Sequence, residues 1–284
     1  MIELLDRKAV KAQTAALLET AQVSPKAMTA LYLGLGILLS ALRLGANGNV
    51  FSVFLSVLTG LLSLVLDAGF LLYCMAVRRG ERAEYLTLFD GFGMAAKVVL
   101  LSLVKALFVF LWSLLFVIPG IIALYRYRFA LYNLLEDPEL DFMEALGRSK
   151  RQTVGYKSQL FLLDLSYLPW ILLGDLLEIV YDVVLQTRMQ EYLFTHGMNY
   201  ADLWMVSDLV DKTVFGVPGP VWQILIAVWG LAIALFYLPN YYCVNLAYFD
   251  SAKRASGVGG SPDAPPAQDQ PPREDPPYEP WNEL

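Results

Sequence analysis

"WSLLFVIPGIIALYRYRFALYNLLEDPELDFMEALGRSK", residues 112–150, is the stretch whose reading decides the fold. It joins an apolar run, the pair Pro119-Gly120, a second apolar run carrying Arg126 and Arg128, and a basic amphipathic segment. An apolar helix that restarts directly after a proline turn, with charge inside it, fits a lipid bilayer. There every backbone polar group is satisfied within the protein and charge is tolerated only when shielded.

The flanking sequence repeats the pattern. Of 284 residues 57% are hydrophobic and 17% charged, against about 25% charged in ordinary globular chains. The apolar residues form blocks near 31–42, 50–77, 98–118, 121–135, 159–174 and 220–248. A hydrocarbon core about 30 Å thick takes about 20 helical residues, so some blocks span outright and others are marginal. The expected fold is an all-α, polytopic helical membrane bundle of about six transmembrane helices, with amphipathic interfacial helices and a disordered C-terminal tail. The weak block is 121–135, which reads as a tilted short span, a re-entrant helix or a kinked continuation of the third span.

Charge chooses among these. Segments 1–26, 78–97 and 136–158 hold twelve Lys and Arg together, while Arg43, Arg188 and Lys212 lie on the other side of the expected topology. Basic loops stay cytoplasmic, which implies a chain reversal at Pro119-Gly120 and both termini in the cytoplasm. Cys74 and Cys243 lie inside apolar blocks and read as packing residues, without a disulfide framework.

Residues 1–23 carry mixed charge and strong helix formers, which predicts a cytoplasmic or interfacial helix and no secretory signal. The transmembrane domain is expected over 24–250, opening with Ser24 as N-cap and Pro25 at the first helical position. Gly34, Gly36, Gly60 and Gly69 read as sites of close helix approach, and "LGANGN" at 44–49 as a turn. Residues 78–97 read as a charged connector. Asp137 and Pro138 are placed to start a helix whose Leu140, Met143 and Leu146 form an apolar stripe. Its Arg148, Lys150 and Arg151, with Lys157, are candidate contacts for lipid phosphates.

The span at 159–174 includes Pro169, expected as a kink. An outer amphipathic segment is expected over 175–219. It contains two helices, one with Val180, Val183 and Val184 on its apolar face and one with Leu203, Val206, Leu209 and Val210. Its seven acids and two bases favour a solvated cap. Trp222 and Trp229 read as interfacial anchors of the last span. Residues 251–284 are rich in Pro and acids and poor in aliphatics, so they are expected to form a disordered cytoplasmic tail.

No motif for chemistry emerges. His196 is the sole histidine and lacks partners at metal-ligand spacing, and neither a phosphate-binding Gly loop nor a Gly-x-Ser-x-Gly elbow occurs. The sequence implies no enzyme, metal, cofactor or nucleic-acid partner. Charge inside the apolar blocks is the remaining signal, because a lone ion at mid-bilayer costs at least about 2.5–3.5 kcal/mol. Asp67, Lys105, Arg126, Arg128 and Asp164 are the candidate residues of a polar pocket, with Tyr125 and Tyr132 on the face of Arg128. Depth along ideal helices pairs Lys105 with Asp164, both about 7–10 Å deep, and Asp67 with Arg128, both about 15 Å deep. Arg126 needs a different partner or snorkels outward.

"LTLFDGFG" at 86–93, the quoted stretch, "QLFLLDLSYLPWILLG" at 159–174 and the closing "LAYFD" together resemble the bacterial membrane family known as domain of unknown function 975. The resemblance covers about residues 1–250 and is most specific at 85–174. It departs at "SKRQTVGYKSQLF", in the Pro-rich tail and in the long outer segment. It implies a multi-pass protein without an assigned reaction, distantly similar to the membrane domain of some glycerophosphodiester phosphodiesterases. The functional expectation is transport or lipid handling through the polar pocket, alternatively a non-catalytic scaffold or accessory subunit. The expected partners are anionic lipids on the cytoplasmic face and another membrane protein.

Overall fold

The computed structural model describes residues 4–42, 50–199, 206 and 210–258. The chain runs α1 (Arg7–Glu19), α2 (Pro25–Ala41), α3 (Val50–Arg79), a 3-10 helix (Tyr85–Met94), α4 (Ala95–Leu115), α5 (Val117–Arg126), α6 (Ala130–Glu136), α7 (Phe142–Gln152), α8 (Lys157–Gly174), α9 (Leu176–Thr195) and α10 (Gly219–Ser256). No strand occurs among the described residues beyond an isolated bridge between Val214 and Val217. Among the described residues three segments are long and apolar enough to cross a membrane: Val50–Arg79, Tyr85–Leu115 and Gly219–Ser256. The expected turn at 44–49, most of the second outer helix and residues 259–284 of the expected tail lie outside the described residues.

The chain forms two compact units, residues 1–165 with 239–284, and residues 166–238, so the cuts fall inside α8 and α10. In the first unit α3 is the spine. In its second half Phe70, Leu71, Tyr73 and Cys74 are almost wholly buried. The 3-10 helix lies against it so closely that a Cβ on Gly69 would run into the carbonyl of Leu88, and one on Gly91 would come 2.5 Å from the carbonyl of Val65. Residues 85–94 are therefore a packed helical element continuous with α4, where the sequence suggested a connector. By contrast, a Cβ on Gly34, Gly36 or Gly60 meets nothing within 4 Å. Of the four glycines expected at close approaches, only Gly69 makes one, because there the 3-10 helix presents bare backbone to α3.

Helix ends follow local chemistry. The Asp6 carboxylate accepts from Lys8 N at 3.0 Å and caps α1. Pro25 opens α2 as expected, although the Ser24 side chain makes no capping bond. The helix expected to begin at Asp137 begins four residues later, capped by Asp141, whose carboxylate accepts from Met143 N at 3.0 Å. Of its apolar stripe, Leu140 and Leu146 are buried and Met143 is exposed.

The decisive stretch resolves into a helical hairpin followed by a break. Phe116, with extended backbone at φ −164° and ψ 159°, ends α4 and starts α5. Pro119 then sits in the first turn of α5, where its missing N–H costs no bond. The chain folds back at Phe116, three residues before the expected point, with Gly120 against Ser113 and the rings of Phe108 and Tyr127 5.8 Å apart.

The expected fourth helix does not continue through 121–135. It breaks between Arg126 and Ala130, and α7 supplies what the break leaves unsatisfied. Ser149 Oγ donates to the Arg126 carbonyl at 2.9 Å and accepts from Phe129 N at 3.0 Å. Thr153 Oγ1 donates to the same carbonyl at 3.2 Å. Asn133 and Gln152, both buried, exchange two amide hydrogen bonds of 2.8 Å and clamp α6 to α7.

In the second unit, α9 buries Tyr181 against Val214 and Trp222, with Leu177, Val184 and Leu185 alongside. Of the expected Val180, Val183 and Val184, Val184 is on this face and Val183 is exposed. Backbone bonds of 2.9 Å run both ways between Val214 and Val217. Phe215 and Gly216 between them both have positive φ, as in a type I′ turn. Trp222 donates to the Val214 carbonyl at 2.8 Å and is buried, so it is a core residue where an interfacial anchor was expected. Trp229 donates to the Leu173 carbonyl at 2.7 Å.

Two outcomes follow for purified protein in detergent. Gly69→Ala lowers thermal stability by about 1–3 kcal/mol through overpacking, whereas Gly60→Ala is neutral or slightly stabilising. Ser149→Ala strips bonds from a buried carbonyl and a buried N–H, at a cost of about 1–3 kcal/mol, read as a lowered unfolding midpoint.

Candidate functional site

The helix break delivers Arg128 into the first unit. Its guanidinium grips Asp164 of α8 bidentately, with Nη1 to Oδ2 and Nη2 to Oδ1 both at 2.9 Å. Asn245 Oδ1 accepts from Nη2 at 2.9 Å and from Nε at 3.3 Å, and the Tyr241 hydroxyl lies 2.5 Å from Nη2. Asp164 receives further bonds from the Tyr125 hydroxyl at 2.8 Å and the Tyr241 hydroxyl at 2.9 Å. Each carboxylate oxygen thus accepts from Arg128 and from one tyrosine. The Arg128 Cζ also lies 5.8 Å and 5.7 Å from the ring centres of Tyr125 and Tyr241. The side chains are mostly enclosed, at 16% exposure for Arg128 and 25% for Asp164.

This geometry corrects both expected pairings. Arg128 holds Asp164, and Asp67 instead accepts a short hydrogen bond from the Tyr32 hydroxyl. Tyr32 in turn is in hydrogen-bond contact with Tyr242, and the Phe70 ring is packed 4.8 Å from Tyr32 and 5.0 Å from Tyr242. Depth estimates failed because they assumed an unbroken helix through Arg128, and the break shifts its level. Lys105 makes no hydrogen bond or ion pair among the described residues and lies within electrostatic reach of Arg128. Tyr132 is buried against Phe129 and Phe249, with ring centres 5.7 Å and 5.4 Å away, and forms no hydrogen bond to Arg128.

The candidate lipid contacts divide. Arg148 is taken by Glu144 at 3.0 Å and Asp137 at 3.3 Å. Lys150 and Arg151 are exposed, and Lys157 lies within electrostatic reach of Arg126 and of Lys150. In the second unit, the Thr213 N–H donates to Asp211 at 2.9 Å and holds that carboxyl below its usual range.

Sequence reading missed Tyr32, Tyr241 and Asn245. A signal existed for two of them, since Tyr241 and Asn245 stand one helical turn apart in "NYYCVNLAYFD" and share a face. No group of three metal-ligating side chains is assembled among the described residues.

These features define an all-helical protein with three helices long and apolar enough to cross a membrane, built around a mostly buried arginine–aspartate cluster. Residues 114–255 match the family described as protein of unknown function (DUF975), and the chain belongs to that family. The match begins near the end of α4, so the first 113 residues, which the resemblance included, lie outside it. No curated protein and no solved structure matches the chain.

A mutant cycle tests the cluster. Arg128→Gln and Asp164→Asn each leave a buried ion unpaired and cost about 3–5 kcal/mol of detergent-measured stability, and the double variant costs less than their sum. Asp67→Asn, which disturbs one tyrosine contact, costs less than either single change.

Proposed function

We propose that this chain is a non-catalytic, multi-pass protein of the bacterial plasma membrane that serves as a scaffold or accessory subunit for another membrane protein. About six crossings, with both termini cytoplasmic, follow from the distribution of lysine and arginine when α2, α8 and the α5–α6 pair are added to the three long spans. The observation that carries the role is the saturation of Asp164, whose two oxygens accept four hydrogen bonds from Arg128, Tyr125 and Tyr241. A carboxylate held this way is spent on packing and has little left for a passing solute.

A second reading, transport or lipid handling in the same polar layer, draws on Lys105, a cation without a bonded partner among the described residues. Two measurements separate these readings. Alkaline carbonate leaves an integral protein in the membrane pellet, and release into the supernatant would sink the membrane assignment. Affinity purification in gentle detergent, followed by mass spectrometry, should retain a stoichiometric membrane-protein partner. A partner-free preparation that retains one solute class, lost in Lys105→Gln, would transfer support to the second reading.

A further inference from the structure

The first unit holds two enclosed acids with opposite surroundings. Asp164 has a guanidinium and two tyrosine hydroxyls on its oxygens. Asp67 lies in α3 with Leu66, Ala68 and Phe70 almost wholly buried around it. Its Oδ1 accepts a short hydrogen bond from the Tyr32 hydroxyl of α2, and Tyr32 in turn meets Tyr242 of α10. The Phe70 ring packs on both tyrosines. Among the described residues Asp67 forms no ion pair and its Oδ2 has no hydrogen-bond partner.

No cation is aimed at this acid from the elements around it. Tyr32 of α2 and Tyr242 of α10 face it, with Tyr132 of α6 and Cys74 of α3 behind Tyr242. The 3-10 helix presents bare backbone to α3 at Gly69, and its Asp90 is exposed. The lysines of α4 are directed elsewhere, Lys97 to the Pro138 carbonyl and Lys105 toward Arg128. Arg78, at the end of α3, is about 16 Å along the helix from Asp67 and pairs with Asp250. Tyr241 and Tyr242, adjacent on α10 with rings 6.0 Å apart, thus serve different acids, the one paired and the other not.

An ionised carboxylate in an apolar setting needs a counter-ion, and without one it takes up a proton. Metal cations need several oxygen ligands, and the groups placed here are one carboxylate and two phenols. We propose that Asp67 is a proton-binding site, holding an exchangeable proton where Asp164 holds an arginine. The proton sits on Oδ2, and partial exposure of the residue lets it exchange. Its loss puts an unpaired negative charge between α2, α3 and α10, which couples the packing of these helices to pH. The inference rests on the membrane reading above, which carbonate extraction tests separately.

The test is infrared spectroscopy of the full chain in lipid nanodiscs. At neutral pH the difference between wild type and Asp67→Asn should contain the C=O stretch of one protonated carboxyl, a band that carboxylates lack and that shifts in heavy water. Raising the pH should replace it with carboxylate bands. Tyr32→Phe removes the donor that favours the ionised form, so the band should persist to a pH about one unit higher. Absence of the band at neutral pH, its survival in Asp67→Asn, or its persistence at every pH at which the protein stays folded overturns the proposal. If Asp67→Asn does not fold, dicyclohexylcarbodiimide decides on the wild type, because this lipid-soluble reagent adds to protonated carboxyls. Peptide mass mapping should find it on Asp67 and not on Asp164, with labelling that falls as pH rises. Labelling absent from Asp67, or equal on the two acids, then overturns the proposal.

Discussion

The fold depends on how the peptide groups between Arg126 and Ala130 are satisfied. Breaking a helix frees carbonyl and amide groups that a buried, apolar setting leaves without solvent. Ser149 and Thr153 meet that need from α7. Because they do, the chain can turn there and send Arg128 inward at a level that neither α5 nor α6 would reach as one straight helix. Among the described residues the arginine then pairs with Asp164. Position of charge, pairing and the register of α7 are thus three results of one local event.

That dependence explains which parts of the fold were legible from sequence. Apolar block length shows where α3, α4 and α10 run, because hydropathy is a summed property and survives errors in detail. Pro25 at a helix start and the reversal near Pro119 follow from the missing proline N–H. The break at Tyr127–Phe129 has no such local mark. It contains neither glycine nor proline, and its stability comes from hydroxyl groups twenty or more residues away. Pairing by depth therefore went wrong at Arg128, which holds Asp164 where Asp67 was expected.

Small residues taught a similar lesson. Glycine on an apolar helix is compatible with a close neighbour and also with none, and only the position of the neighbouring backbone decides. Gly69 meets the carbonyl of Leu88, whereas Gly60 faces open space. Tryptophan is equally ambiguous, since an indole has both an apolar body and one donor. In Trp222 the donor found the carbonyl of Val214, at a tight turn that positive φ at Phe215 and Gly216 makes possible. The outer segment accordingly has a small core of its own.

The Asn133–Gln152 pair joins helices on which the ion pairs of Arg79, Arg148 and Lys253 also converge. Those ion pairs weaken as salt screens them, and a field across a bilayer pulls on every unit of net charge. An amide pair has no net charge and does not titrate near neutrality. The amide part of the joint between α6 and α7 is consequently indifferent to voltage, acidity and ionic strength, unlike the Arg148–Asp137 ion pair beside it. The backbone turn that aims Arg128 keeps its shape while the charges around it respond to the cell's electrical and chemical state.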